Sequence, residues 1–177
     1  SLAGMVDLSR SVSFIASDAA LIARFFRREA DALHPVVDLN RHGTHVASTV
    51  ASTGHGTAGV TQRVKLVGVK VLSASGSGPT SGVLAGIMYA ADIDSDVINM
   101  SLGSTFSKKA FPGRVAGIQR AVNYATRKGT LVVVSAGNES DDLDKLGDGF
   151  KSYCDAATVI CVSATAPAVA APTNIGP

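Results

Sequence analysis

The chain has 177 residues, of which 46% are hydrophobic and only 17% charged, so it is globular and not intrinsically disordered. Its net charge of +2 is too small to favour nucleic acid or an anionic membrane surface, and no apolar run reaches the roughly 18 residues of a membrane-spanning helix. The 18 glycines and 5% of aromatic residues predict tight turns and close packing of small side chains.

The first third of the sequence predicts one short strand and two helices. Alternating apolar positions in residues 10–16 favour the strand, and residues 17–33 place apolar side chains on one helical face. Pro35 ends this first helix, because a proline disfavours the helical conformation of the residue before it. Residues 42–53 are small and compatible with a second helix, and a glycine-rich loop follows at 54–61.

Strands and helices alternate along the rest of the sequence. Such an order predicts a three-layer α/β fold, in which helices cover both faces of a mostly parallel sheet. No shift in composition marks an internal boundary, so residues 1–177 are expected to belong to one domain. The predicted elements are strands at 64–72, 96–103, 130–138 and 157–166 and helices at 80–92 and 112–129.

Polar residues and glycines gather at the carboxyl ends of three of these strands. SASGSG begins at Ser73, SLGS at Ser101 and SAGN at Ser135. Because ligands bind at the carboxyl ends of the strands in open α/β sheets, this edge is the expected functional site.

The two cysteines, Cys154 and Cys161, are too few and wrongly spaced for a zinc ribbon. The favoured interpretation is a disulfide that closes a small loop, which indicates an oxidising compartment. The alternative is a pair of buried free thiols on a strand and its entry turn.

Two histidines, His42 and His45, lie at the expected start of the second helix. Residues three apart share a helical face, so the pair could hold a metal ion with a third ligand from His34, His55 or an acidic residue elsewhere. The HExxH pattern of zinc hydrolases is absent, however, which disfavours metal binding. As a general base, His42 would gain from a helix N-terminus, which favours the neutral imidazole, and from the small Gly43 beside it.

Several segments, taken in order, resemble the subtilisin-like serine proteases. HGTHVA, which starts at His42 and is preceded by D-x-N-R, is similar to the catalytic-histidine segment of that family. VINMSLGS and VVVSAGNES are similar to its substrate-binding strand end and its oxyanion segment, and residues 59–72 and 73–90 to a strand and to a substrate-edge loop with its helix. The resemblance implies the subtilisin-like fold and peptide-bond hydrolysis through a Ser-His-Asp triad.

The resemblance assigns roles to individual residues. His42 matches the general base, and Asn138 matches the side-chain donor that stabilises the oxyanion. An extended peptide is expected to pair with two backbone edges. The resemblance places substrate-binding residues at Ser75, Gly76, Ser77 and Gly78 on one edge, at Ser101, Leu102 and Gly103 on the other, and at Ala136 and Gly137 in the floor of the first side-chain pocket.

Two parts of the family pattern do not occur in these 177 residues. No apolar strand ends in a catalytic Asp before His42: Asp7 and Asp18 do not follow such a strand, and Asp38 stands where the family's acid is not a triad member. PTSG at 79–82 belongs to a loop and is not the GTS-x-A turn that carries the nucleophile. We therefore expect the chain to be a central part of a peptidase domain that does not hydrolyse peptides by itself.

Two smaller departures flank the histidine segment. Arg41 and Ser48 stand where the family usually has Gly. Arg41 is expected to crowd or perturb the base and Ser48 to alter helix packing, and neither excludes catalysis.

The expected partners are peptide or protein substrates and a propeptide or inhibitor, with no nucleic acid and no membrane. The triad chemistry requires no cofactor. A structural calcium ion is left open, since the family often binds one and residues 138–150 are rich in acids; these lack the EF-hand pattern, and a solvated acidic loop is the favoured interpretation.

The resemblance and the expected disulfide together imply a secreted protein. The alternative function is a non-catalytic, subtilisin-like module that binds peptides or serves assembly. A metal-dependent hydrolase that uses His42 and His45 ranks third.

Overall fold

The computed structural model describes residue 2 and residues 4–26, 33–54 and 58–165. The chain divides into two compact units, Ser1–Gly86 and Ile87–Pro177, each described only over these residues. The helix α3 (Thr80–Asp92) contains the boundary between them.

A short parallel ladder organises the first unit. Its strands β1 (Val12–Ser13) and β2 (Val69–Lys70) pair in register, and an isolated bridge joins Val6 to Leu66. Most of the strand predicted at 64–72 is irregular in the structure. The segment that pairs with it, from Val6 to Ser13, is interrupted by a 3-10 turn at Leu8–Arg10. Of the described helices, α1 (Ser17–Phe26) and α2 (His42–Ala51) lie wholly within this unit.

Small side chains let α3 approach β2 closely. A methyl group added to Gly86 would lie 2.7 Å from Val71 Cγ1 and 3.1 Å from Val69 Cγ1. Val71 and Val83 are buried at this contact region, as is Ala51 at the end of α2. The scarcity of aromatic residues in the sequence thus corresponds to a core in which glycine and valine set the helix-to-strand distance.

The second unit contains the main sheet, which is parallel. Its order is β3 (Val97–Met100), β5 (Leu131–Ser135), β7 (Val159–Val162), with Met100 opposite Val134 and Val134 opposite Cys161. The helix α4 (Pro112–Arg127) packs against β5, and its apolar face is fully buried at Ile118 and Val122. The predicted parallel α/β architecture is confirmed.

The two faces of this sheet differ sharply in exposure. Met100, Val132 and Val134 alternate onto one face and are buried. The register places Val97, Leu131, Ile160 and Val162 on the opposite face, where their exposed fractions are 53%, 42%, 47% and 50%. The sheet is open on that side, as expected of an incomplete subtilisin-like fold.

An antiparallel ribbon, which the sequence did not predict, forms between the segment that joins β3 to α4 and the segment that joins β5 to β7. It pairs β4 (Thr105–Ser107) with β6 (Gly149–Lys151). Phe106 is 5.4 Å from Phe150 and 6.2 Å from Phe111, measured between ring centroids, and the guanidinium of Arg114 lies 4.4 Å over the Phe106 ring. Residues 138–150, expected to be a solvated acidic loop, therefore end in a strand held by aromatic packing.

In the part of the chain that the structure describes, no helix has the length and apolar character needed to cross a bilayer. The longest of the described helices, α4, has 16 residues and ends in Arg127.

Candidate active site

His42 is the first residue of α2, and Asp38 supplies the cap of that helix. The residue before His42, Arg41, has a left-handed backbone (φ 77°) and makes no side-chain cap. One Asp38 oxygen accepts hydrogen bonds from the backbone N–H of Asn40 and Arg41 at 2.9 and 2.8 Å. The other accepts from the N–H and hydroxyl of Thr44 at 2.8 and 2.7 Å. Asp38 thus fixes the helix N-terminus at which His42 stands.

This hydrogen bonding also determines the ionisation of Asp38. Partial burial acts to raise the pKa of its carboxyl, but the bonds from Thr44, Asn40 and Arg41 outweigh that effect and leave the pKa below its ordinary value of 3.8. Asp38 is therefore an anion at neutral pH, where a helix N-terminus favours negative charge.

The expected substrate edge at residues 75–78 lies beside the lead-in to α2. The amide of Asn40 donates a 2.9 Å hydrogen bond to the carbonyl of Ala74, and a Cβ on Gly76 would lie 3.5 Å from the same amide. Ser75 to Gly78 are exposed, and Gly76 adopts φ 78°, which a glycine accepts without strain. The first unit thus brings this edge close to the segment that carries His42.

A buried ion pair holds both the substrate edge and the segment that leads into α2. Lys70 Nζ lies 2.6 Å from Asp18 Oδ2 in an ion pair without hydrogen-bond geometry, and the side chains are 11% and 3% exposed. Asp18 Oδ1 accepts a bond from the N–H of Ala74, and Lys70 Nζ donates to the carbonyl of Val37. Asp18 thus has a structural role as the partner of Lys70, which sequence reasoning did not identify.

In the second unit, two of the expected segments follow neighbouring strands. Ser101–Gly103 come after β3 and Ala136–Asn138 after β5, so both lie at the carboxyl edge of the same sheet. Ala136 is buried and donates its N–H to the carbonyl of Val162, whereas Asn138 is exposed. Gly137 adopts φ 106°, which turns the chain away from the strand.

A third segment, missed by sequence reasoning, joins these two. Ser152 makes two hydrogen bonds with Ser104. The N–H of Ser152 donates to the Ser104 carbonyl at 2.9 Å, and the Oγ of Ser152 accepts from the Ser104 N–H at 2.8 Å. Lys151 is only 3% exposed, and its ammonium and Cε lie where a side chain on Gly137 would have to be. No motif marks Lys151; a lysine beside Phe150 at the end of an acidic run is the only signal.

Glu139 holds the buried ammonium. Its Oε2 accepts hydrogen bonds from Lys151 Nζ and, at 2.9 Å, from the N–H of Asn138. Asp141 Oδ2 lies 3.6 Å from the same ammonium. The hydrogen bond from Lys151 is the main cause that lowers the pKa of Glu139 below its ordinary 4.5.

Cys154 and Cys161 form a disulfide with a Cα–Cα distance of 5.1 Å. It ties β7 to the turn that follows Lys151 and so braces the third segment against the sheet.

Four of the five acidic side chains in 138–150 contact nearby basic or hydroxyl groups. Asp142 pairs with Lys145, and Asp148 accepts from Ser107, while Glu139 and Asp141 face Lys151. Within residues 4–26, 33–54 and 58–165, no group of three or more His, Cys, Asp or Glu side chains is arranged to hold a metal ion. His55, a candidate third ligand for His42 and His45, lies outside the described residues.

Known proteins similar to this chain are subtilisin-like proteases. Alkaline elastase YaB of Bacillus sp. (strain YaB) is 45% identical over 105 residues, which are 58% of this chain and 26% of that protein. Thermitase of Thermoactinomyces vulgaris is 43% identical over 102 residues, 56% of this chain and 34% of that protein. The chain thus spans about a quarter to a third of the length of these curated relatives.

Two solved structures give the same answer for the fold. A cold adapted subtilisin-like serine proteinase matches 89% of this chain and 48% of that chain, with a TM-score of 0.60 and 33% identity. The epidermin leader peptide processing serine protease (EpiP) from Staphylococcus aureus matches 93% and 42%, with a TM-score of 0.73; at 22% identity this likeness shows the fold alone. The sequence pattern of the subtilase family (peptidase S8) matches residues 7–177, and the chain therefore belongs to that family.

Proposed function

We propose that the whole protein to which these residues belong is a serine endopeptidase, with His42 as its general base. The observation that carries the proposal is the position of His42 at the first residue of α2, where Asp38 fixes the helix end, in a chain of the subtilase family. In this role His42 takes the proton of the nucleophilic serine and then returns it to the leaving amine.

Asn138 is the proposed oxyanion donor. Its position after β5, on an exposed turn next to Gly137, leaves its side chain free of the sheet. Loss of one such donor costs on the order of 10²–10³ in turnover, a figure established for subtilisin itself and adopted here.

Substrate binding is proposed at two backbone edges and at one side-chain pocket. We assign Ser101–Gly103 and Ser75–Gly78 to pairing with an extended peptide, and Ala136 and Gly137 to the floor of the first side-chain pocket. The support is that Ser101–Gly103 follow β3, that Ser75–Gly78 are exposed, and that neither of these two edges belongs to a strand that the structure describes, while Ala136 and Gly137 follow β5.

The 177 residues alone are proposed to be inactive, because they contain neither the Asp strand nor the GTS-x-A turn of the family. A fluorophosphonate that labels activated serines should leave this chain unlabelled, and stoichiometric labelling would contradict the proposal. The reaction requires no cofactor, since a side chain acts as the acid and base. We also infer secretion, which the disulfide Cys154–Cys161 supports.

The decisive experiment is His42→Ala in the full-length protein. Hydrolysis of a denatured protein substrate should fall by at least about 10⁴-fold, because the serine then lacks its base. His45→Ala is the matched control and should retain most of the turnover. If the unmodified full-length protein binds peptides and cleaves none, the non-catalytic alternative replaces the proposed function.

A further inference from the structure

Lys151 is a buried cation directly beside the proposed first pocket. Its side chain is 4% exposed, and lysines are almost never buried to this extent without a counter-charge. The ammonium lies against Gly137, on the side where any other residue would carry its Cβ. The backbone of Lys151 is fixed as well, since it belongs to β6 and its N–H donates to Asp155 at 2.8 Å.

The anion that faces Lys151 comes from an exposed side chain. Glu139 is 53% exposed, and it folds back over its own backbone so that Oε2 contacts both Lys151 Nζ and the N–H of Asn138. A fixed ammonium and a fixed backbone N–H therefore form a site for one carboxylate, and a side chain free to rotate into solvent fills it. Asp141, at 3.6 Å, is the more distant second counter-charge.

We propose that this site, made of Lys151 Nζ and the Asn138 N–H beside Gly137, recognises an acidic substrate side chain, and that Glu139 occupies it until substrate enters. The inference rests on the proposed function, because it takes Gly137 as the floor of the first pocket. It makes the protein a peptidase that cleaves after Asp or Glu.

The charges decide the sign of this preference. A group that enters over Gly137 must displace the Glu139 carboxylate and then faces the buried ammonium. An acidic substrate side chain supplies a new carboxylate to the Lys151 ammonium in place of Glu139. A neutral side chain leaves the ammonium with Asp141 as its remaining counter-charge, and a basic side chain is repelled by it. The lowered pKa of Glu139 agrees with a site that favours an ionised carboxylate.

The test compares four peptides that differ only at the residue before the cleaved bond, with Glu, Gln, Leu or Lys there, and uses the full-length protein. The unmodified protein should give the highest kcat/KM with Glu. Lys151→Met should reduce the Glu-to-Gln ratio of kcat/KM by about 10–100-fold, the value of one charge-assisted hydrogen bond. Lys145→Met, which changes a lysine with an 82% exposed side chain, is the control and should leave the ratio unchanged.

A second variant does not depend on burial. Glu139→Gln alters an exposed side chain and removes the charge that every entering group must displace, so KM should fall several-fold for the Glu peptide and for the Leu peptide. An unchanged Glu-to-Gln ratio in Lys151→Met, or a Glu139→Gln variant that mainly loses cleavage after Lys, overturns the inference and leaves the proposed function standing. Failure to cleave any peptide overturns the proposed function and this inference with it.

Discussion

Lys70 Nζ lies 2.6 Å from Asp18 Oδ2, and through this pair the start of α1 is tied to β2 and to the turn at Ala74. The two residues are 52 positions apart, and both side chains are close to fully buried. The pair therefore fixes the base of the substrate-edge loop and, through the carbonyl of Val37, the approach to α2.

Breaking this pair from one side should be costly. Lys70→Met or Asp18→Asn is expected to lower the free energy of unfolding by about 3–5 kcal/mol, because the remaining charge stays buried without its partner. Urea denaturation followed by circular dichroism measures the change.

The control is the exposed pair Lys145–Asp142, whose side chains are 82% and 49% exposed. Lys145→Met should stay within about 1 kcal/mol of the unmodified chain. The double variant Lys70→Met with Asp18→Leu should recover much of the loss; a double variant that is worse than either single one would show that the pair itself is not the cause.

Removal of the α2 cap should destabilise the helix that carries His42. Asp38→Ala is expected to cost about 0.5–2 kcal/mol, since three backbone N–H groups and the Thr44 hydroxyl lose their acceptor. Asp94→Asn is the control, because Asp94 has a left-handed backbone that Asn also accepts.

The same cap gives stability a defined pH dependence. Because the pKa of Asp38 is lower in the folded than in the unfolded chain, its contribution is complete above the ordinary value of 3.8 and is lost as the pH falls through the folded value. The stability difference between the unmodified chain and Asp38→Ala should therefore shrink below about pH 4. A difference that is constant from pH 6 to pH 2 would contradict this cause.

The buried phenol of Tyr153 should make the folded chain lose stability at alkaline pH. Burial raises the pKa of its phenol from 10.0 to about 12, and the nearby Arg114 reduces this rise only in part. Since the folded pKa is the higher one, the stabilisation is present below pH 10 and is lost as the pH rises towards 12. The loss should be on the order of 2 kcal/mol at pH 12.

Phenolate absorbance at 295 nm can follow this directly, because the chain has three tyrosines and no tryptophan. Tyr153→Phe should remove the last step of the titration and flatten the alkaline stability curve. Tyr124→Phe should retain that step; its loss there would assign it to Tyr124, whose pKa is raised by its hydrogen bond to Asp92.

Two glycines in helices should respond in opposite directions to alanine. Gly86→Ala places a methyl 2.7 Å from Val71 Cγ1 and should cost about 1–3 kcal/mol, since α3 must move away from β2. Gly113→Ala meets nothing within 4 Å and should raise stability by up to about 1 kcal/mol through helix propensity. Equal thermal midpoints for the two variants would refute the close-approach argument.

Elements whose hydrophobic pattern extends over many residues were predictable from the sequence, and elements of two or three residues were not. The helix at 80–92 and the strands around Val97 and Leu131 follow from hydrophobic patterns that extend over whole elements. The ribbon of β4 and β6 was missed because each strand has three residues and depends on contacts among three phenylalanines for its formation. The strand expected at 64–72 is only two residues long in the structure, Val69–Lys70. Strand pairing needs a partner of matching length, which the local sequence does not specify.

The candidate site divides in the same way. Motifs pointed to His42 and Asn138, since the family resemblance is carried by contiguous residues. The groups around them, Asp38 with its four hydrogen bonds and Lys151 against Gly137, depend on side chains brought together by folding. Such contacts follow no spacing rule along the sequence, and only the folded structure reveals them.

The open face of the parallel sheet bears on the fate of the polypeptide in the cell. Val97, Leu131, Ile160 and Val162 form a row of exposed aliphatic side chains on adjacent strands. A surface of this kind attracts holdase chaperones and, at high concentration, other copies of itself. Produced as 177 residues alone, the chain should therefore be a chaperone client and should reach inclusion bodies unless that row is covered.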